Sequence, residues 1–299
     1  DDLPWCMVPE KKITPEDVDE KQVDRNIKAV EDYFMMASET IDKQKLSFLL
    51  VPTSGLVMQE KLPKNARLFD QAKYIDQVQK AMKDYNFVDV RDTLMDHNDE
   101  YIYYKTDHHW TSAGACLAYD VWSERTGGEA ETEDGLVKNV VSDKFRGSLY
   151  SKILDADSAY DEIWTYGLQK DDAFGSKDCT VTIDEKQQLD SIYDDEMLQK
   201  KDKYAYFLSG NYGQVHIQNQ KAASKAKGKN ILIIKDSFAN SFVPFVTQDY
   251  ENIYMVDLRY YNGDMKSYLQ EHNITDVLVL YNISNFISDR NLHKLTGGI

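Results

Sequence analysis

A serine lies where the sequence predicts that a buried strand turns into a helix. Residues 231–234 form a continuous run of isoleucine and leucine, as in a strand buried on both faces, and Ser237 follows closely. The next apolar residues are spaced by four, three and one, which fits one face of a helix: Phe238, Phe242, Phe245 and Val246. Such a corner exposes a side chain above a parallel sheet, and the first helical amides face whatever binds there. We therefore predict that Ser237 is a nucleophile.

A serine hydroxyl becomes a good nucleophile only when a base accepts its proton, so a histidine and a carboxylate should accompany Ser237. Residues 101–106 form an aromatic, β-prone segment that leads into Asp107, His108 and His109. In an extended backbone, Asp107 and His109 lie on one side and His108 lies on the other. The spacing therefore predicts that His109 is the base and that Asp107 orients it.

Both motifs also allow simpler interpretations. Ser237 could cap the helix, although a cap alone would leave the Asp-x-His segment unexplained. Asp107 and the two histidines after it could instead bind zinc. Against a metal, adjacent histidines diverge in an extended segment, and no third histidine or cysteine stands nearby at a suitable spacing. We therefore favour a triad, and we predict neither a metal nor another cofactor.

Along the chain, Asp107-His108-His109-Trp110 precedes Lys235-Asp236-Ser237-Phe238. In this order the two motifs resemble those of the DHHW proteins, a family related to the alginate O-acetylation proteins in the SGNH hydrolase superfamily. Ordinary SGNH enzymes carry the serine early and the Asp/His pair last, whereas this permuted branch places Asp-x-His first. The resemblance implies that Ser237 is the nucleophile, His109 the base and Asp107 its partner.

Other residues are candidates for stabilising an oxyanion or contacting substrate. The backbone amide of Ser237 comes first, because the corner presents it. Arg259 follows the next predicted strand, where a cation could support an oxyanion or simply form a surface ion pair. Asn211 could donate to the same oxyanion or only shape a turn. Three weaker candidates come from the same matched segments: Gly210, Tyr212 and Trp110, the last expected in the core or at a cleft wall.

The remaining apolar patterns predict the elements that position these residues. Further strands are expected at residues 45–51, 87–90, 253–256 and 276–281. Helices are expected from Thr14 to about residue 42, over about 69–85, and from Thr111 to Gly127. This alternation predicts an α/β fold, and the resemblance implies an SGNH hydrolase-like doubly wound parallel sheet.

We predict a single SGNH hydrolase-like domain over residues 1–299, with an antiparallel, β-rich insertion at about residues 129–229. That segment has short alternating stretches, many Asp and Lys residues, and few helical faces. Its aromatic residues could stack on the faces of sugars or pack the core of a small sheet. Three examples are Tyr150, Trp164 and Tyr204.

The composition limits the kinds of partner and cellular setting that we expect for this protein. With 51 acidic and 35 basic residues the formal net charge is −16, which argues against nucleic acid as a partner. Three cysteines lie far apart without a CxxC pair, so no disulfide framework is expected. No apolar run approaches the roughly 18 residues of a membrane span. The chain starts without methionine, so an upstream signal or anchor could have been removed.

The resemblance implies a bacterial protein that works outside the cytoplasmic membrane or at the cell surface, often tethered by an N-terminal hydrophobic segment. It favours O-acetyl transfer to an extracellular polysaccharide through an acyl-serine intermediate. In a carbohydrate acetylesterase water would take the acetyl group instead, and a non-catalytic protein could use the same fold to bind a glycan or partner. The expected partners are the polysaccharide and an acetyl donor, which a membrane-bound O-acyltransferase could supply. A monomer is expected, and the identities of polysaccharide and donor stay open.

Overall fold

The computed structural model describes residues 14–128, 135–153, 158–170, 172–220, 222 and 225–297. The strands in these ranges are β1 (Leu46–Val51), β2 (Asn86–Val88), β3 (Val137–Phe145), β4 (Asp161–Gln169), β5 (Asp172–Ala173), β6 (Cys179–Ile183), β7 (Gln187–Leu189), β8 (Gln214–Asn219), β9 (Asn230–Lys235), β10 (Asn252–Val256) and β11 (Asp276–Asn282).

The α-helices are α1 (Glu20–Ala37), α2 (Ser54–Val57), α3 (Gln71–Ala81), α4 (Arg91–Asp96), α5 (Ser112–Arg125), α6 (Ser148–Ile153), α7 (Ala239–Val246), α8 (Met265–Glu271) and α9 (Ile283–Ser288). Short 3₁₀ helices cover Pro15–Asp17, Lys43–Lys45, Gln59–Lys61, Asp195–Gln199, Lys203–Tyr206 and Leu292–Thr296.

Eight strands form one sheet in the order β2-β1-β11-β9-β10-β8-β6-β7. The first five are parallel, and β8, β6 and β7 continue the sheet beyond β10, each antiparallel to the strand before it. The pairing of Val51 with Asn282 and of Lys235 with Leu280 aligns the carboxyl ends of β1, β9 and β11. In open α/β sheets ligands bind beyond these ends, so this edge is the place to look for a site.

Helices cover both faces of the parallel strands. One apolar cluster packs the strands against α1, α3, α8 and α9, and a second cluster packs them against α5 and α7. Neighbouring residues of β9 divide between the clusters, since Ile231 and Ile233 belong to one and Leu232 and Ile234 to the other. Successive side chains of a strand point to opposite faces, so residues 231–234 of β9 have to be apolar on both faces. This is the doubly wound arrangement predicted from the sequence.

The first helix begins later than predicted. Thr14 precedes a 3₁₀ turn over Pro15–Asp17, and α1 starts only at Glu20. The side chain of Asp19 accepts hydrogen bonds from the backbone amides of Lys21 and Gln22. These bonds satisfy amides that have no partner inside the helix, which makes Asp19 the N-cap in place of Thr14.

The predicted insertion contains two kinds of strand. β3, β4 and β5 form a separate antiparallel sheet, whereas β6, β7 and β8 belong to the main sheet. Trp164 and Tyr204 are 2% and 4% exposed, so both rings pack in the core and offer no open platform for sugars. The division of the chain into one domain stays a prediction. No helix in the described ranges is long and apolar enough to cross a membrane.

Candidate active site

The corner that carries Ser237 lies between β9 and α7, as predicted. The buried carboxylate of Asp236 holds this turn. Its Oδ1 accepts from the amide of Phe238 at 2.9 Å, and its Oδ2 accepts from the amide of Asn282 at 2.8 Å and from Asn285 Nδ2 at 2.9 Å. Because three donors from the corner, β11 and α9 converge on one carboxylate, the position of Ser237 is fixed relative to the end of the sheet.

A second segment, the loop between Tyr103 and Trp110, carries the two histidines. An antiparallel bridge between these two residues closes the loop at its base. Asp161 on β4, which is 1% exposed, accepts hydrogen bonds from the amide and hydroxyl of Thr106 at 2.7 and 2.5 Å. The small antiparallel sheet thus holds the loop in place against the carboxyl end of the main sheet.

The corner and the loop bring Ser237, His109 and Asp107 into one chain of hydrogen bonds. Ser237 Oγ lies 2.7 Å from His109 Nε2, and His109 Nδ1 lies 2.5 Å from Asp107 Oδ1. The backbone amide of His109 also donates to Asp107 Oδ1 at 3.0 Å. All three side chains are buried, and Ser237 is 8% exposed. This geometry suits proton transfer from a hydroxyl to an imidazole whose other nitrogen is oriented by a carboxylate.

Asp107 occupies an environment that keeps it ionised. Burial alone raises the pKa of Asp107, but the charge and hydrogen bond of His109, the charge of His108 and the amide of Ser148 lower it well below its ordinary value. The Ser148 amide donates to Asp107 Oδ2 at 2.8 Å. Gly147 lies so close that a Cβ there would stand 2.3 Å from Asp107 Cβ and Oδ2. The residue at position 147 therefore has to be glycine for Asp107 to hold this position.

His108 does not point away from His109, as an extended backbone would require. The loop bends through these residues, so the alternation expected of a strand is lost. The His108 and His109 rings lie 3.8 Å apart between centroids, and His108 Nδ1 is 2.6 Å from Ser148 Oγ. His108 consequently lines the same cavity as His109.

Tyr204 contributes to the site, although its sequence context indicated only an aromatic residue of the insertion. Its ring stacks on His109 with centroids 3.7 Å apart and planes 8° apart. Its hydroxyl donates to the backbone carbonyl of Ser237 at 3.0 Å and lies 3.1 Å from Ser241 Oγ. Tyr204 thus positions both Ser237 and the imidazole of His109. Such a contact depends on tertiary packing, and no sequence spacing could have indicated it.

A cavity of about 580 Å³ opens at Ser237, His109 and Asp107, and three of the five predicted contact residues line it. Gly210, Asn211 and Arg259 line the cavity together with Ser237. Arg259 also forms a bidentate pair with the buried Asp257, through Nε at 2.9 Å and Nη2 at 2.5 Å. Its guanidinium is therefore held in place at the cavity wall.

Trp110 and Tyr212, the other two predicted contacts, lie elsewhere. Trp110 is fully buried, and its Nε1 donates to the carbonyl of Phe238 at 3.1 Å and to Ser241 Oγ at 3.0 Å. It positions the start of α7 from within the core, one of the two places expected for it, and does not line the cavity as a substrate contact would. Tyr212 packs against the core, and its hydroxyl donates to the carbonyl of Ser209 at 2.9 Å. It shapes the loop next to the cavity without lining it.

Asp107, His108 and His109 could also be considered as metal ligands, because one ligand atom from each lies within 4.8 Å of the others. In the present arrangement both nitrogens of His109 already have partners, Asp107 and Ser237, and His108 Nδ1 faces Ser148. A metal bound by all three would have to break at least one of these hydrogen bonds. The donor set therefore suits proton transfer better, and the absence of a metal requirement stays a prediction.

Comparisons with known proteins agree with this picture at the level of family and fold. The sequence model of the DHHW protein family matches residues 30–256, more than half of the chain. No curated protein matches the sequence. A DHHW family protein from Eubacterium siraeum is similar in structure, with a TM-score of 0.73 and 23% identity over 89% of this chain and 88% of that one.

Two further structures share the fold. Bacillus cereus PatB1 with a sulfonyl adduct gives a TM-score of 0.76 and 23% identity over 95% of both chains. The O-acetyltransferase domain of Pseudomonas putida AlgJ gives a TM-score of 0.55 and 13% identity over 94% of this chain and 88% of that one. At these identities the likeness establishes the fold, and it confirms the predicted SGNH-like α/β class.

Proposed function

This chain belongs to the DHHW protein family, and we propose that it is a serine-dependent O-acetyltransferase that acts on a polysaccharide. The observation that carries the proposal is the hydrogen-bonded chain from Ser237 through His109 to Asp107, at 2.7 and 2.5 Å. A fold shared with the O-acetyltransferase domain of AlgJ supports the same reaction class. A buried polar chain of this kind at the carboxyl ends of parallel strands suits acyl transfer through a covalent intermediate.

The first half of the proposed reaction acetylates the serine. His109 Nε2 accepts the proton of Ser237 Oγ as that oxygen attacks the acetyl carbonyl of the donor. Asp107 holds the imidazole with its N–H at Nδ1 and stabilises the positive charge that forms on the ring. When the tetrahedral intermediate collapses, the bond from the acetyl carbon to the donor breaks, and His109 returns the proton to the leaving group.

The second half transfers the acetyl group to a sugar. A hydroxyl of the polysaccharide attacks the acetyl carbon, and His109 accepts its proton. The bond to Ser237 Oγ then breaks, and the proton returns to that oxygen. Water in place of the sugar hydroxyl would make the protein an acetylesterase, so the acceptor must be positioned well enough to overcome the concentration of water.

Three donors at the cavity are candidates for stabilising the oxyanion: the backbone amides of Ser237 and Gly210, and Asn211 Nδ2. Each of these residues lines the cavity. Within the described part of the chain, no hydrogen bond occupies any of the three donors. Preorganised donors of this kind stabilise the charge that develops in a tetrahedral intermediate. The guanidinium of Arg259 adds a fixed positive charge at the same wall.

We further propose that the protein works outside the cytoplasmic membrane of a bacterium, as a monomer that receives acetyl groups from a membrane-bound donor system. This part of the proposal follows from the DHHW family and would be tested by locating the protein in fractionated cells. An intracellular location would contradict it without affecting the chemistry at Ser237.

Acylation of Ser237 is the direct test of the proposed chemistry. After brief incubation with p-nitrophenyl acetate, mass spectrometry of the digested protein should place one acetyl group on Ser237. Ser237→Ala should lower turnover by several orders of magnitude, up to about 10⁶-fold. Ser151→Ala is the matched control, because Ser151 lines the same cavity and its hydroxyl donates to the carbonyl of Gly147 at 3.1 Å. Full activity in Ser237→Ala would refute the assignment.

Product analysis separates a transferase from an esterase. The acylated protein is mixed with a panel of glucan, mannuronan and amino-sugar oligomers, and the products are identified by mass spectrometry. Acetylated sugar is the expected product with the correct acceptor. Release of acetate alone, together with removal of acetyl groups from pre-acetylated oligomers, would establish the esterase instead. A protein that is never acylated but retains an oligomer would be a binding protein.

A further inference from the structure

A buried lysine lies directly behind the cavity. Lys235 ends β9 and is 1% exposed. Its Nζ donates to Asn211 Oδ1 at 2.8 Å and to Asn240 Oδ1 at 2.7 Å. Both partners are neutral amide oxygens, although burial of an ammonium group is costly unless opposite charge compensates it. A methionine of similar length would fill this space at lower cost, so the charge itself calls for an explanation.

The ammonium group determines which way two amide side chains face. It carries only donors, so Asn211 and Asn240 must both turn their oxygens towards it and their NH₂ groups elsewhere. The NH₂ group of Asn240 donates to the carbonyl of Gly210 at 3.2 Å and reaches Asn211 Oδ1 at 3.3 Å. Asn211 lines the cavity, and its NH₂ group has no acceptor within the described ranges. Lys235 thus leaves that NH₂ group available to a ligand.

The backbone of the same loop is also held away from its relaxed conformation. Leu208, Ser209 and Gly210 have φ angles of 63°, 58° and 121°, in the left-handed region that only glycine adopts freely. Ser209 Oγ donates to Asp194 Oδ2 at 2.7 Å, and Asn240 holds the carbonyl of Gly210. Strain of this kind persists only where surrounding contacts enforce it, and it is concentrated at functional sites.

We propose that Lys235 is a positioning residue for acyl transfer: it holds the Asn211 amide with its NH₂ group facing the cavity and polarises that group towards the oxyanion. The inference rests on the proposed function, because it concerns the tetrahedral intermediate formed at Ser237. A cation bonded to the amide oxygen withdraws electron density from the amide nitrogen, which strengthens its N–H groups as donors. Lys235 itself touches no reacting atom.

The charge of Lys235 depends on pH near neutrality. The pKa of Lys235 is lowered from its ordinary value to about 8, chiefly by burial. The charges of Asp257 and Asp236 oppose this shift, and the charge of Arg259 adds to it. At pH 7 the group is therefore mostly protonated. As the pH rises through about 8, the charge is lost and the polarisation of Asn211 with it. The acylation rate of Ser237 should fall over the same interval.

A double-mutant cycle tests the inference. Lys235→Met should lower the rate of Ser237 acylation about ten- to a hundred-fold, somewhat less than loss of a complete oxyanion donor. Asn211→Ala should lower it at least as much. If Lys235 acts through Asn211, Lys235→Met should cause no further loss in the Asn211→Ala background. The fall in rate above about pH 8 should also disappear in Lys235→Met. Losses that multiply, or an unchanged rate in folded Lys235→Met, would overturn the proposal.

A measurement that does not use activity separates this inference from the proposed function. In nitrogen-15 NMR spectra, the side-chain amide signals of Asn211 and Asn240 should shift together with a midpoint near pH 8. In Lys235→Met neither signal should titrate there. If Ser237 is acylated but these amides do not titrate, the role of Lys235 is refuted and the proposed function stands. If Ser237 is never acylated in the wild type, both are refuted.

Discussion

Gly147→Ala should disconnect Asp107 from His109 without replacing any residue of the triad. A methyl group at position 147 would lie 2.3 Å from Asp107 Cβ and Oδ2 and 2.6 Å from its Cγ. Ordinary carbon contacts are about 3.5 Å, so relief requires a movement of about 1 Å. Asp107 is held at 2.5 Å by His109 and at 2.8 Å by the Ser148 amide, so a shift of that size breaks at least one bond.

The size of the loss in acylation rate depends on how far the Asp107 carboxylate still orients His109. A misplacement of about 1 Å in a reacting group can cost about 100-fold in rate, and complete loss of the orienting carboxylate costs about 10⁴-fold. The acylation rate of Ser237 should therefore fall between these limits, which corresponds to about 2.7 to 5.4 kcal/mol in the activation free energy. Overpacking should also lower the free energy of unfolding by about 1 to 3 kcal/mol.

The rate is measured by stopped-flow release of p-nitrophenol in a single turnover, with the fold checked by circular dichroism. Gly135→Ala is the control, because a Cβ there meets nothing within 4 Å. Asp107→Asn should show a loss at the upper limit, and combining it with Gly147→Ala should add little, because both changes act on the same carboxylate. A folded Gly147→Ala protein with a rate within about threefold of wild type would show that the close approach to Asp107 does not matter.

Three further outcomes are expected. Tyr204→Phe keeps the ring on His109 but removes one of two hydrogen bonds to the carbonyl of Ser237, the other coming from the amide of Asn240. Denaturant titration should therefore show a loss of about 0.5 to 1.5 kcal/mol in unfolding free energy and only a small loss of rate. The pKa of Lys235 is about 8 in the folded protein against an ordinary value of 10.5, so between these values the unfolded state binds more protons than the folded state. The unfolding free energy of the wild type should therefore rise relative to that of Lys235→Met from about pH 8 to 10.5, by up to about 3 kcal/mol. Denaturant titrations of both proteins over this pH range measure the difference. Dialysis against a chelator should leave acylation unchanged, because the ring nitrogens of His109 are used for hydrogen bonds; loss of activity restored by a divalent metal would contradict this.

The parallel sheet was predictable because its strands have a local signature. Runs such as residues 231–234 are apolar at every position, which only a strand covered on both faces requires. The pairing of β6, β7 and β8 with the main sheet was not predictable, since alternation in residues 179–183 fits any half-buried antiparallel strand. The start of α1 was misplaced because Thr14-Pro15 and Asp19 both satisfy the requirements of a helix cap.

In the candidate site, the predicted residues were those that belong to a short motif. Ser237 was found from the strand-to-helix corner, and Asp107 and His109 from their spacing. The direction of His108 was wrong because alternation assumes an extended backbone, whereas the loop bends there. Tyr204 and Gly147 could not have been found, because each acts through a contact with a residue more than 30 positions away.

Three consecutive residues at the end of β9 show why a single corner can organise the site. Lys235 reaches the loop at Asn211, Asp236 reaches the end of β11 at Asn282, and Ser237 reaches His109. In a turn, neighbouring side chains diverge, so each can bind a different segment of the chain. Lys235 and Asp236 are 1% exposed, and burial works against the charged form of both by lowering the pKa of the lysine and raising that of the aspartate. This cost to stability is the consequence of assembling the proposed nucleophile, base and oxyanion donor from segments distant in sequence, and the apolar packing on both faces of the sheet offsets it.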